Sequence, residues 1–105
     1  MNFWFVDPLN GLTNFSHGVP HFCISVALIE NSSINAAAVY DPIKDEMFYA
    51  YKGKGSYLND SRIRVSSRKK LEECILCYNF EKSNNENIDN MYKKIKNNFS
   101  LTRVT

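Results

Sequence analysis

Eight residues near the start of the chain combine a carboxylate, a turn and a helix entry: Asp7-Pro8-Leu9-Asn10-Gly11-Leu12-Thr13-Asn14. The apolar residues before them, Phe3-Trp4-Phe5-Val6, read as a short buried strand that ends at Asp7. Pro8 stops that strand, because proline cannot donate to a ladder. A carboxylate at a strand end can ligate a hard cation such as Mg²⁺. Asn10-Gly11 marks a turn, and residues 11–16 start a helical turn with Asn10 as its cap. Backbone N–H groups at a helix start can hold a phosphate. Together these features suit metal-assisted chemistry on a phosphate, although strand–Asp–Pro–turn also occurs as plain structure.

Other polar residues are weaker candidates. His17 and His21 have the chemistry of proton shuttles or ligands. Asp41, Asp45 and Glu46 flank a turn and offer a carboxylate cluster, but turn chemistry accounts for Asp41-Pro42 equally well. Cys74 and Cys77 have C-x-x-C spacing. Zinc takes four ligands as a rule, and no second Cys/His pair follows. A redox pair usually sits at a helix N-terminus, whereas residues 74–78 read as a buried strand, so core packing is the expectation for both cysteines.

The elements that must position these groups follow from periodicity. Residues 21–30 are strand-like, Asn31-Ser32-Ser33 is a turn, residues 34–41 form a second strand and residues 46–51 a third. Gly53 and Gly55 bracket a turn before Ser56-Tyr57-Leu58, and Ile63-Arg64-Val65 alternates as a half-exposed strand does. Turns at intervals of about ten residues predict an antiparallel meander. Residues 74–80 give one more strand. Ile88, Met91, Tyr92, Ile95 and Phe99 recur at helical spacing, which predicts an amphipathic helix over 84–99 capped by Ser83 or Asn84. Residues 101–105 start a last strand that has no partner after it. The fold class is therefore α+β, mainly antiparallel sheet with one amphipathic helix. No linker or repeat marks off a second domain.

Composition narrows the function classes. Of 105 residues, 44% are hydrophobic and 23% charged, which excludes a disordered chain. Net charge is +2, and the densest basic run, Arg62, Arg64, Arg68, Lys69 and Lys70, reads as a solvated strand end and turn, so no nucleic-acid surface is evident. No basic-then-apolar leader is visible, and no apolar run reaches the ~18–20 residues of a membrane span, so cytoplasmic residence is expected. Three cysteines fit a reduced chain better than a disulfide framework.

The run Trp4-Phe5-Val6-Asp7-Pro8-Leu9-Asn10-Gly11-Leu12-Thr13-Asn14-Phe15 resembles the signature W-x-V-D-P-L-D-G-T-T-N-F of the inositol monophosphatase family, including its bacterial extragenic-suppressor type. The match continues in order through His17-Gly18-Val19-Pro20, Phe22 to Glu30, Val39-Tyr40-Asp41-Pro42, Lys52-Gly53-Lys54-Gly55, and Leu58-Asn59 with Ile63-Arg64-Val65-Ser66. It is strong over 3–66 and collinear to 105. The resemblance implies a layered αβαβα sandwich, of which residues 1–105 would be a single partial domain from the centre. It also implies Mg²⁺-assisted hydrolysis of inositol 1-phosphate or a similar small phosphate monoester. Asp7 would be a metal ligand, Leu9 would ligate through its backbone carbonyl, and the N–H groups of Gly11 and Leu12 would meet the phosphate.

Two positions depart from the family pattern. Asn10 stands where the family has a second, bridging aspartate, so its metal role is weakened: one neutral oxygen replaces a carboxylate. Leu12 replaces a threonine whose hydroxyl helps activate the attacking water, so no catalytic residue is intact. The family's upstream Glu-Glu pair and downstream W-D-x-A-like motif have no counterpart here. The expectation is a catalytically dead fragment. Two alternatives stay open: half of a split enzyme that pairs with the missing parts, and a non-catalytic interaction module. Open sheet edges would favour either pairing or self-association.

Overall fold

The computed structural model describes residues 1–78, 85–99 and 101–104. Contacts divide the chain into two units, Met1–Arg64 and Val65–Thr105.

The first unit is a six-stranded antiparallel sheet whose spatial order is its chain order. Its strands are β1 (Asn2–Asn10), β2 (Cys23–Glu30), β3 (Ser33–Asp41), β4 (Glu46–Tyr51), β5 (Gly55–Leu58) and β6 (Ser61–Ile63), with the one-turn helix α1 (Leu12–Ser16) between β1 and β2. The expected meander is present. Its turns are built where the chain tolerates positive φ: Asn31 and Ser32 at 49° and 66°, Asp45 at 53°, Asn59 at 51°. The two-residue turn at Asn31-Ser32 has the positive φ at both positions that matches the twist of a hairpin. Asn59 also ties its hairpin to β4, because its side-chain oxygen accepts from the Met47 N–H at 2.9 Å.

Three local expectations need correction. Pro8 does not end β1; the strand runs on to Asn10 through a bulge. The physical reason is position, since β1 is at the sheet's edge, where proline and bulges are tolerated. Asn10 does not cap α1. Gly11 is the cap residue and no side chain bonds to the helix start. Val65 is outside β6 and 96% exposed, because the ladder stops at Ile63.

Cross-strand partners share a face of the sheet. Trp4, Leu28, Ala36 and Tyr51 form one row, and Val6, Val26, Ala38, Tyr49 and Tyr57 form the next. On the opposite face, Phe5, Ala27, Ala37 and Ala50 align. Both faces are therefore apolar, which is the pattern of a sheet that is the middle layer of a sandwich. Both are also open: no described residue is fully buried, and Trp4 is 67% and Phe5 57% exposed. The alanines leave a groove of about 320 Å³ between Trp4, Tyr49 and Tyr51.

The second unit is a β–α–β arrangement. A 3-10 turn (Leu71–Glu73) leads into β7 (Ile75–Tyr78), then α2 (Glu86–Lys96), then β8 (Leu101–Val104). β8 pairs with β7 in parallel, Ile75 opposite Leu101 and Tyr78 opposite Val104. The last strand has no strand after it; its partner is the earlier β7, and α2 supplies the crossover a parallel pair requires. α2 is shorter than the predicted 84–99. Its cap is Asn85, whose side chain accepts from the Asn87 N–H at 3.0 Å. Ser83 and Asn84, the caps expected from the sequence, lie outside the described residues, as do residues 79, 80 and 105 of the expected strands. Glu86 and Asp89 in the first turn, with Lys93, Lys94 and Lys96 in the last, complement the helix dipole. The cysteines are not core residues as expected: Cys74 is half-buried and Cys77 exposed. The short parallel pair leaves Cys77 on an uncovered strand.

Candidate metal and phosphate site

Asp7 pairs across the sheet with Ser25, and Asn10 pairs with Cys23. Three residues along β1 thus oppose two along β2. In a regular strand, residues three apart point to opposite faces. Ser25 and Cys23 are two apart and share a face. The bulge at Pro8-Leu9 therefore rephases β1 and brings Asp7 and Asn10 onto the same face. The Asp7 carboxylate accepts from the Leu9 N–H at 3.3 Å, which holds it over the bulge. Both Asp7 and Asn10 are exposed, and Leu9 is half-buried.

Gly11 then redirects the chain. Its φ of 99° lies in the left-handed region, and a Cβ there would come within 3.0 Å of the His21 carbonyl oxygen and 3.1 Å of the Phe22 Cβ. Glycine is required on both counts. The first bond of α1 runs from the Phe15 N–H to the Gly11 carbonyl at 3.0 Å. The N–H groups of Gly11, Leu12, Thr13 and Asn14 precede it and have no acceptor within the helix. They begin one residue beyond Asn10. The expected metal residues and the expected phosphate N–H groups are thus consecutive, on a bulge and the helix turn that follows it.

The loop after α1 braces this turn from behind. The Asn14 side-chain amide donates to the His21 carbonyl at 2.8 Å. The Val19 N–H donates to the Asn14 carbonyl at 2.8 Å. Phe15 and Phe22 meet edge to face at 5.2 Å. His17 closes the helix: its Nδ1 lies 2.8 Å from the Thr13 carbonyl, which only accepts, so Nδ1 carries the proton. This is a structural part for His17. The brace by Asn14 escaped sequence reasoning, because its partner is a main-chain carbonyl seven residues away and no local spacing encodes it.

Asp41, Asp45 and Glu46 do not form a cluster. Asp41 Oδ1 accepts from the N–H groups of Ile43 and Lys44 at 3.0 and 3.1 Å, and Asp45 Oδ1 accepts from the Tyr40 hydroxyl at 2.6 Å. That hydrogen bond, helped by burial and by the charges of Asp45 and Asp41, raises the Tyr40 phenol above its ordinary value of 10.0. These are turn interactions, and among the described residues no three His, Cys, Asp or Glu side chains gather to hold an ion.

A model of the inositol monophosphatase family matches residues 2–104. The chain belongs to that family. An inositol-1-monophosphatase of Rhizobium meliloti is 51% identical over 73 residues, 70% of this chain and 27% of the relative. A protein named Nus factor SuhB, from Pseudomonas aeruginosa, is 47% identical over 88 residues, 84% of this chain and 32% of the relative. Among solved structures, the extragenic suppressor protein suhB of Bartonella henselae superposes with a TM-score of 0.88 at 36% identity, over 98% of this chain and 41% of that one. The chain spans between a quarter and a third of its curated relatives and two fifths of that structure. The match to solved family members bears out the α+β fold, with its largely antiparallel sheet, as part of the inositol monophosphatase fold.

As donors to a hard cation, this stretch offers one carboxylate (Asp7), one amide oxygen (Asn10) and one backbone carbonyl (Leu9). All are oxygens, so the set fits Mg²⁺ in type. It carries one negative charge and supplies about half of the six oxygens Mg²⁺ takes, leaving the rest to water, phosphate or other protein groups.

Proposed function

We propose that this chain forms one wall of a Mg²⁺-assisted phosphomonoesterase site. The substrate would be inositol 1-phosphate or a similar small monoester. The observation that carries the reading is the bulge, which sets Asp7 and Asn10 on one face directly before the N–H groups of Gly11 and Leu12. Asp7, the Leu9 carbonyl and the Asn10 oxygen would hold the cation, and the N–H groups would hold the phosphate. When bound, Mg²⁺ supplies polarisation of the phosphoryl group and activation of a water. Asn10 brings no charge to a shared ion, and Leu12, 64% exposed, brings no donor to a water. Both units would belong to one family domain, of which this chain is the central part. The three unpaired thiols support a reducing compartment such as the cytoplasm.

On this reading the chain alone releases no phosphate. The test is phosphate release from inositol 1-phosphate with Mg²⁺. The chain is assayed alone, and then mixed with a polypeptide carrying the family segments it does not span. The mixture is expected to act only when the chain carries N10D and L12T. Mg²⁺-dependent release by the unaltered chain alone would refute the proposal.

A second reading, a non-catalytic interaction module, draws on the two open apolar faces and on the Nus-factor name of the Pseudomonas relative. It requires no carboxylate at position 10. Failure of the purified chain to bind any component of the transcription machinery would remove it.

A further inference from the structure

We infer that Asn10 is a site of spontaneous deamidation, and that its direct product places a second carboxylate on the face that already carries Asp7. Asn10-Gly11 is the one Asn-Gly step among the chain's thirteen asparagines; the other twelve precede residues that bear a Cβ. The reaction needs no enzyme. The main-chain nitrogen of Gly11 attacks Asn10 Cγ, a C–N bond forms, and the side-chain nitrogen leaves as ammonia with the peptide proton. The product is a five-membered succinimide. Water then adds to one of its two carbonyls and opens the ring to aspartate or isoaspartate. The net change is one water consumed and one ammonia released. Glycine speeds the first step because no side chain hinders the attacking nitrogen and its backbone reaches conformations closed to other residues.

The structure leaves the Asn10 side chain accessible for this step. Asn10 is the last residue of an edge strand, past the bulge, and its pair with Cys23 ends the β1–β2 ladder. It is exposed, and its side chain makes no hydrogen bond with the described residues. Asn14 is tied to the His21 carbonyl and Asn59 to the Met47 N–H, so both would have to break a bond first.

The two products differ in consequence. Aspartate keeps the main chain and exchanges a neutral amide for a carboxylate on the face of Asp7. Isoaspartate lengthens the main chain by a methylene at the junction of bulge and helix, and moves the charge away. Only the first raises the cation affinity of the stretch. That consequence rests on the proposed metal site, whereas the deamidation does not.

The purified full chain, aged at mildly alkaline pH, is digested and mapped by mass spectrometry, with isoaspartate detected by enzymatic methylation. The peptide containing Asn10 is expected to gain one dalton ahead of every other asparagine peptide, and N10Q, which would need a larger ring, is expected to stay unchanged. An intact Asn10 in a sample where another asparagine has converted overturns the inference. Mn²⁺ serves as the probe for the second part. Its broadening of amide signals from Asp7 to Thr13 is expected to grow with the aspartate fraction and to match that of N10D. Conversion without added broadening would leave the modification standing and overturn the cation consequence, and with it the proposed metal site.

Discussion

Replacing Gly11 by alanine separates two costs that the structure makes unequal at two glycines. At Gly11 the φ of 99° is unfavourable for any residue with a Cβ, at about 1–2 kcal/mol. The new methyl would also meet main-chain and Cβ atoms of His21 and Phe22 at 3.0 to 3.2 Å. Those atoms are held by the Asn14–His21 hydrogen bond and the Phe15–Phe22 contact, so they yield only by disturbing the brace. Overpacking of this kind costs about 1–3 kcal/mol more. Gly18 is the control. Its φ of 72° carries the same backbone penalty, but nothing lies within 4 Å of the Cβ position. The loss of unfolded-chain entropy is common to both substitutions and cancels in their difference. Urea unfolding followed by circular dichroism should therefore place G11A about 1–3 kcal/mol below G18A. A G11A no less stable than G18A would mean that the loop 17–22 does not close on Gly11, and the braced helix turn would be wrong.

Three further outcomes follow from named contacts. Tyr40 should ionise above its ordinary value of 10.0 when its ring signals are followed by NMR through a pH titration, and D45N should lower that value, because the Asp45 hydrogen bond is the first cause of the shift. A raised phenol pKa favours the folded state below the unfolded value, so this contribution is present below pH 10.0 and is lost as pH rises through the folded value; a Tyr40 that titrates normally would contradict it. N85A should loosen α2 by about 1 kcal/mol, read as faster amide exchange over residues 86–90, because the cap to the Asn87 N–H is lost; unchanged exchange would deny the cap. N14A should broaden the amide signals of residues 17–22, since it removes the bond that fixes the His21 carbonyl; an unaltered spectrum would show that the aromatic contact and the Val19 main-chain bond hold the loop without it.

Much of the sheet was legible in the sequence because its hairpins are local. Asn31-Ser32, Asp45, Gly53 and Asn59 each mark a turn whose backbone needs positive φ, and between them the strands follow in order. Pro8 misled because a proline reports what it cannot do in a ladder, not that its strand is at an edge. The β7–β8 pair was illegible because its register joins residues 26 positions apart, from Ile75 to Leu101, and no local pattern encodes so distant a partner. Of the proposed site, the sequence shows the residue types, Asp7, Leu9, Asn10, Gly11 and Leu12. How Asp7 and Asn10 come to share a face was not legible there, since strand periodicity alone puts residues three apart on opposite sides. The bulge resolves that.

Asp7, Leu9 and Asn10 are proposed as half of a cation site, short of one charge at Asn10. An amide NMR titration with Mg²⁺, run on the unaltered chain and on N10D, tests it most directly. Weak, non-saturating shifts are expected for the unaltered chain, and saturable shifts confined to Asp7 through Thr13 for N10D. Equal saturation in both would show that Asn10 costs the site nothing; no shifts in either would show that Asp7, Leu9 and position 10 do not form a cation site.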